Sequence, residues 1–168
     1  TGLWENYDAE LLASEEGFIA DPELVWGWYE WRRKKVLQAM PNRGHRVIAK
    51  LAEKVPKLTL ITQNVDDLHE RAGSQSVLHL HGSLHHPRCF HCHEPYVFPE
   101  YRPEPSLLLK ESRIEPPRCH ECHHFIRPGV VWFGESLPTD SWNAAVEAAK
   151  ECDLMLIVGT SGLVYPAA

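Results

Sequence analysis

The sequence predicts an α/β fold: an open parallel sheet with helices on both faces, interrupted by a small metal-stapled module. Three observations carry that expectation. Leu58-Thr59-Leu60-Ile61 is a short apolar run rather than an alternating one, as in a parallel strand covered on both faces, Val77 to Leu80 is a second short apolar run, and Leu154-Met155-Leu156-Ile157-Val158 reads as a further strand. Helical spacing fills the stretches around them, giving the strand and helix alternation of a parallel sheet. After Ser83 the pattern breaks: eight of the 13 prolines lie between Pro87 and Pro128, and nine of the 11 histidines between His79 and His124. A segment so rich in proline cannot hold long helices and needs another source of order.

Asp21-Pro22 is a helix start, with a capping side chain followed by proline in the first turn. From Glu23 to Ala39, Leu24, Trp28, Trp31, Val36 and Leu37 recur at broadly helical spacing, and Pro41-Asn42 ends the run. Asn42 caps a second helix through Leu51 to Lys54, and the strand Leu58 to Ile61 follows. Asp66 to Ala72 reads as a short helix closed by Gly73, ahead of the second apolar run. Regular pattern resumes at Val130-Val131. A helix from Asp140 to Glu151 and the strand Leu154 to Val158 then lead into Gly159. There is no internal repeat or low-complexity tract.

At 168 residues the chain is long enough for one ordinary domain, and a domain of about 150 residues buries roughly 70% of its unfolded surface. Apolar content of 43% and charged content of 24% are globular averages. A net charge of -6 and a pI near 6.0 argue against nucleic acid as the main partner, since phosphate binding needs clustered Lys and Arg. The basic cluster Arg32-Arg33-Lys34-Lys35 is short and reads, for Arg33 to Lys35, as the solvated face of a helix. No apolar run approaches the roughly 20 residues that span a bilayer, and no signal core follows the start, so no membrane partner is expected.

Cys89-x-x-Cys92 and Cys119-x-x-Cys122 are two knuckles that each aim a pair of thiolates at one point, and together they make the tetrahedral thiolate site that zinc prefers. Two disulfides are the alternative. With four sulfur ligands no position stays open, so the ion is expected to be structural. His91, His93, His120, His123 and His124 raise mixed coordination as a rival, but both cysteine pairs are complete and the five read as exposed neighbours. Cys152 stands alone, and this usage suits a reducing, intracellular setting, cytoplasmic or in an organelle such as the mitochondrion.

Thr62-Gln63-Asn64-Val65-Asp66-Asp67-Leu68-His69 stacks polar residues at the carboxyl end of a strand, where ligand sites open in such sheets, and His81-Gly82-Ser83 comes after the second run. TQNVDDLH with HGS resembles the sirtuin family of NAD-dependent protein-lysine deacylases. The two cysteine pairs, Gly129-Val130-Val131-Trp132-Phe133-Gly134-Glu135, and Gly159-Thr160-Ser161 before Val164-Tyr165-Pro166-Ala167 stand in the family's order and span nearly the whole chain.

The resemblance implies a Rossmann-like NAD-binding domain over 1–83 and 129–168, with a zinc-binding module over 84–128 inserted in it. It makes His81 the general base, a role that suits an imidazole near neutral pH. His79 alternates with it along the strand and is expected to face the other way. Gln63, Asn64, Val65 and Asp66 become contacts to the nicotinamide end of NAD, Gly159, Thr160 and Ser161 to its adenosine half, and Trp4 a further cofactor residue. Asp66 or Asp67 could equally cap the following helix, and His69 reads as structural. The implied reaction consumes NAD: the acyl-lysine oxygen attacks the ribose carbon, nicotinamide leaves, and the acyl group ends on O-acyl-ADP-ribose. Acyl-lysine proteins or peptides are the implied partners.

Val131, Trp132, Phe133, Gly134 and Glu135 match the segment with which the family pairs an extended peptide through its backbone, although the apolar side chains could equally be core. Tyr29-x-x-Arg32 resembles the signature of the branch that removes succinyl, malonyl or glutaryl groups. Positions three apart share a helix face, and a guanidinium binds a carboxylate bidentately. The alternative is an ordinary aromatic and a solvated arginine on an amphipathic helix. The family's Gly-Ala-Gly-x-Ser phosphate loop is absent: Thr1-Gly2-Leu3-Trp4 resembles the stretch just beyond that loop, and Pro166-Ala167-Ala168 precedes the family's last strands. The chain is therefore expected to be incomplete at both ends, with edge strands bare. Deacetylation, mono-ADP-ribosyl transfer and a non-catalytic acyl-peptide binding module remain the alternative functions.

Overall fold

Capping chemistry sets the helix boundaries. The computed structural model describes residues 9–99 and 113–168, so Trp4 lies outside the described residues. In chain order the elements are α1 (Ala9–Leu12), α2 (Glu15–Ala20), α3 (Pro22–Gln38), α4 (Arg43–Ala52), β1 (Leu60–Thr62), α5 (Leu68–Arg71), β2 (Val77–His79), β3 (Arg88–Cys89), β4 (Ile126–Arg127) and α6 (Thr139–Glu151). Asp21 starts α3 as expected, its Oδ1 accepting from the Leu24 N–H at 3.1 Å. Asn42 caps α4 reciprocally with His45: Asn42 Oδ1 accepts from the His45 N–H at 3.1 Å, and the Asn42 N–H donates to His45 Nδ1 at 3.2 Å. The helical spacing had not pointed to α2, which Ser14 begins by accepting from the Gly17 N–H at 3.1 Å.

The residues group into two compact units, one uniting Thr1–Met40 with Ser83–Glu135, the other Pro41–Gly82 with Ser136–Ala168. This grouping differs from the boundaries at 83/84 and 128/129, because residues 1–40 go with the cysteine module. The cause is aromatic burial. Trp26 of α3 is buried in one cluster with Cys89, Cys119 and Ile126, and Tyr96, Phe98, Ile114 and Cys122 pack on it. Phe18 adds ring contacts at 5.3 Å to Phe90 and 5.5 Å to Trp132. Val25 to Glu30 are all buried, so the first half of α3 is a core helix rather than an amphipathic one. Arg33 is not simply solvated: it pairs with the buried Glu30 at 3.2 Å and lies 4.3 Å from the Phe98 ring centroid.

In the second unit β1 and β2 are parallel, with Leu60, Ile61 and Thr62 opposite Val77, Leu78 and His79. The crossover between them contains α5, so β1, α5 and β2 form a parallel unit of Rossmann-like kind. α4 packs against α5, and α6 against β2. The expected buried strand Leu154–Val158 does not form: no ladder includes it among the described residues, and its five side chains are 51 to 81% exposed. An apolar run supplies strand propensity, but a strand needs a pairing partner, and none faces it here. Among the described residues no helix is long and apolar enough to cross a membrane.

Candidate functional site

The loop after β1 draws its order from side chains that hold its own backbone. Asn64 N–H donates to Thr62 Oγ1 at 3.1 Å, and Asp66 Oδ1 accepts from the Leu68 N–H at 3.1 Å, a local turn just ahead of α5, whose N-cap position is Asp67. His81 Nδ1 lies 3.0 Å from the main-chain oxygen of Gln63. A carbonyl oxygen only accepts, so the contact requires the proton on Nδ1, and in that tautomer Nε2 carries a lone pair. Gln63 faces a second way as well: its side-chain Nε2 donates to Thr160 Oγ1 at 3.3 Å and to the Ala167 carbonyl at 3.0 Å. Gln63, His81 and Thr160 are thus brought together within one unit.

Gly159 has φ +70, and Thr160 and Ser161 fold the next turn by accepting from Gly162 N–H and Leu163 N–H, both at 3.3 Å. Asn64 has an exposed side chain, and its carbonyl is 3.1 Å from His79 Nδ1, while His79 Nε2 is 2.6 Å from Glu70. The expectation that His79 and His81 face opposite ways is overturned, since residues two apart share one face of a strand. His81 lies in the turn beyond β2, and both rings reach the same loop. His69 packs against His45 with ring centroids 4.6 Å apart, and burial together with His45 holds its pKa below the ordinary imidazole value.

The four cysteines converge in the other unit, with all four Sγ atoms within 4.8 Å of one another and none in a disulfide. Both knuckles are built alike. Cys89 N–H donates to the Glu94 carbonyl and Cys119 N–H to the His124 carbonyl, each at 2.8 Å, and the residues after the second cysteines, His93 and His123, take φ 62 and 61. Burial alone would raise the Cys89 thiol, but His91 and Cys92 N–H groups point at its Sγ and bring its pKa down to about 6. The donor set fits one tetrahedral Zn²⁺ and leaves it no open position. All five neighbouring histidines are exposed, and His91 and His124 stack on each other at 4.2 Å.

In that same unit Trp132, Phe133, Gly134 and Glu135 form a turn, with Glu135 N–H bonded to the Trp132 carbonyl at 3.1 Å and Gly134 at φ +84. Phe133 N–H donates to the Ala13 carbonyl at 2.8 Å, and Trp132 N–H to Glu135 Oε2 at 2.7 Å. The Trp132 side chain is core, at 2% exposure, whereas Phe133 is exposed. Tyr29 is buried, and its hydroxyl accepts from Trp132 Nε1 at 3.2 Å. The Arg32 guanidinium carbon lies 4.7 Å from the Trp28 ring centroid and 5.8 Å from that of Tyr29.

Sequence reasoning missed Arg127. Its guanidinium, 3% exposed, binds both Glu135 carboxylate oxygens and the Val130 carbonyl at 3.0 Å, and its central carbon lies 3.5 Å from the Trp132 ring centroid. The only signal was an arginine between Ile126 and Pro128 in an otherwise apolar stretch. Burial would raise the Glu135 pKa, but Arg127 and the Trp132 N–H outweigh it and hold the carboxyl below its ordinary value. That stabilisation is present above the unfolded pKa of about 4.3 and is lost as pH falls through the lower folded value. Arg127→Leu leaves Glu135 without its cation and should lower stability by about 3 kcal/mol in urea unfolding. A loss under about 1 kcal/mol would mean that the pair does not hold the turn.

The Sir2 family profile matches residues 1–166. An NAD-dependent protein deacylase of Methylococcus capsulatus is 62% identical over 169 residues, covering 100% of this chain and 65% of its own length. Among solved structures, a Sir2 homologue in complex with NAD superposes with a TM-score of 0.84 at 45% identity, covering 99% of this chain and 61% of that one. A Sir2 complex with a p53 peptide and NAD⁺ gives 0.76 at 35% identity, covering 92% and 64%. The chain therefore spans a little under two thirds of the length of these relatives, and its fold is their Rossmann-like α/β sheet with a cysteine module.

Proposed function

The chain belongs to the Sir2 family, and from that premise we propose that it carries the catalytic core of an NAD-dependent protein-lysine deacylase acting on acidic acyl groups. The observation that carries the activity is the His81 contact, which leaves Nε2 as an acceptor beside the loop of Gln63, Asn64 and Asp66. NAD would supply an electrophilic ribose carbon and a leaving group in nicotinamide. Gln63, Asn64, Val65 and Asp66 would hold the nicotinamide end, Gly159, Thr160 and Ser161 the adenosine half, and His81 Nε2 would take the proton of a ribose hydroxyl. Cys89, Cys92, Cys119 and Cys122 would hold one structural Zn²⁺, whose contribution is to order the proline-rich module. The relative's name, a protein deacylase, and the peptide complex favour an acylated lysine in a protein or peptide as the substrate. With three N–H groups of the 132–135 turn already engaged, a substrate strand would pair with the remaining backbone groups of Val131 to Glu135.

The acyl preference rests on Tyr29 and Arg32. Burial pushes the Tyr29 pKa up to about 12, with Arg32 opposing, so the phenol stays a neutral hydrogen donor at working pH. Arg32 supplies a fixed positive charge on the next turn of α3. A succinyl, malonyl or glutaryl carboxylate would be held by both. In NAD-dependent assays on succinyl- and acetyl-lysine peptides, Tyr29→Phe with Arg32→Met should lower kcat/KM for desuccinylation about 100-fold, mostly through KM, and far more than for deacetylation. Equal losses on the two substrates would sink the acidic-acyl reading and leave plain deacetylation.

A further inference from the structure

A phenol hydroxyl has one hydrogen to give and can accept from others, so what it accepts decides where that hydrogen is free to go. Indole N–H only donates. At Tyr29 the oxygen accepts from Trp132 Nε1–H at 3.2 Å, which leaves the phenol hydrogen for a different partner. The ring that makes this contact is itself fixed. Arg127 lies over one face with its guanidinium carbon 3.5 Å from the centroid, Phe18 packs at 5.5 Å, and the main-chain N–H of Trp132 donates to Glu135 Oε2 at 2.7 Å. With 2% of its surface exposed, Trp132 has little room to turn.

We propose that Trp132 is a specificity-determining residue for the acyl group, because its indole N–H commits the Tyr29 oxygen as an acceptor and leaves the single phenol hydrogen for a carboxylate on the substrate. The inference rests on the acidic-acyl reading above. Acetyl-lysine has no carboxylate at the end of its acyl chain, so the contact matters only for the acidic substrates. Trp132 acts through Tyr29 and is a positioning residue, distinct from the backbone pairing assigned to the same turn.

The readout is the ratio of kcat/KM on succinyl-lysine to that on acetyl-lysine peptide, measured with the full chain and with NAD. Trp132→Phe removes the N–H, and benzothienylalanine at position 132 replaces it by sulfur while keeping the bicyclic shape, so it decides the matter if the phenylalanine variant folds poorly. The ratio should fall about fivefold in either variant, the worth of one neutral hydrogen bond. In a Tyr29→Phe background the same changes should shift it no further. An unchanged ratio in the Trp132 variants overturns the inference, as does an equal fall in both backgrounds, which would trace the effect to packing. Tyr29→Phe alone separates the two levels. If it leaves the ratio unaltered, the acidic-acyl reading falls and takes this inference with it; if it lowers the ratio and the Trp132 variants do not, only the role of Trp132 is lost.

Discussion

His81→Ala should lower kcat by about a hundredfold to ten-thousandfold on every acyl-lysine peptide, read as nicotinamide released per unit time. The size follows from the role proposed for the side chain. The Gln63 carbonyl accepts from Nδ1 at 3.0 Å, so in the neutral imidazole the lone pair lies on the opposite nitrogen. Alanine keeps neither the base nor the strut between the turn after β2 and the loop after β1. To separate the two losses, His81→Asn keeps a side-chain donor for the carbonyl but has no basic nitrogen. If catalysis is the role, the asparagine variant should be as inactive as the alanine variant while melting closer to wild type. Activity within about tenfold of wild type in either variant would remove His81 from the chemistry.

Cys119→Ser should abolish the stoichiometric zinc proposed for the cysteine cluster and unfold the unit that contains it. The energetic reason is that little else orders this segment: β3 and β4 are two residues each, and such a pair has no independent stability. Structural zinc in small modules contributes on the order of 10 kcal/mol of apparent folding free energy. Cys119 and Cys89 also sit inside the core cluster with Trp26, so loss of the ion reaches α3 and the two residues proposed to choose the acyl group. Fluorescence of Trp26, Trp28 and Trp132, all at or below 2% exposure, should shift to the red together with metal loss. Cys152→Ser is the control, since Cys152 is exposed and bonds only the Ala149 carbonyl among the described residues. One zinc per chain retained in Cys119→Ser protein, with its emission unmoved, would show that the thiolates do not form the metal centre.

Local chemistry was readable in this sequence, and tertiary selection was not. α3 and α4 could be found because Asp21 and Asn42 are caps whose effect is confined to three residues. The four-cysteine cluster was readable because each knuckle is a tetrapeptide with its geometry built in. The placement of Gln63 and His81 was local too, since they stand at the ends of short apolar runs that do pair. Arg127 was not readable, since its partners Glu135 and Trp132 are defined only once the turn has closed. Nor was the attachment of α3 to the cysteine module, which depends on where Trp26 and Phe18 find apolar cover. Leu154 to Val158 failed as a strand for the complementary reason: propensity is a property of the residues, and a ladder is a property of two segments.

The partner that fixes the proton on His81 is a main-chain oxygen, and this has a genetic consequence. Every amino acid at position 63 carries that oxygen, so point mutation there cannot delete it while the loop keeps its path. The side chain of Gln63, by contrast, is fully mutable, and it donates to Thr160 Oγ1 and the Ala167 carbonyl. One position therefore holds two inheritances of unequal fragility, an orientation protected from substitution and a bridge to the 159–167 segment that a single codon change can erase.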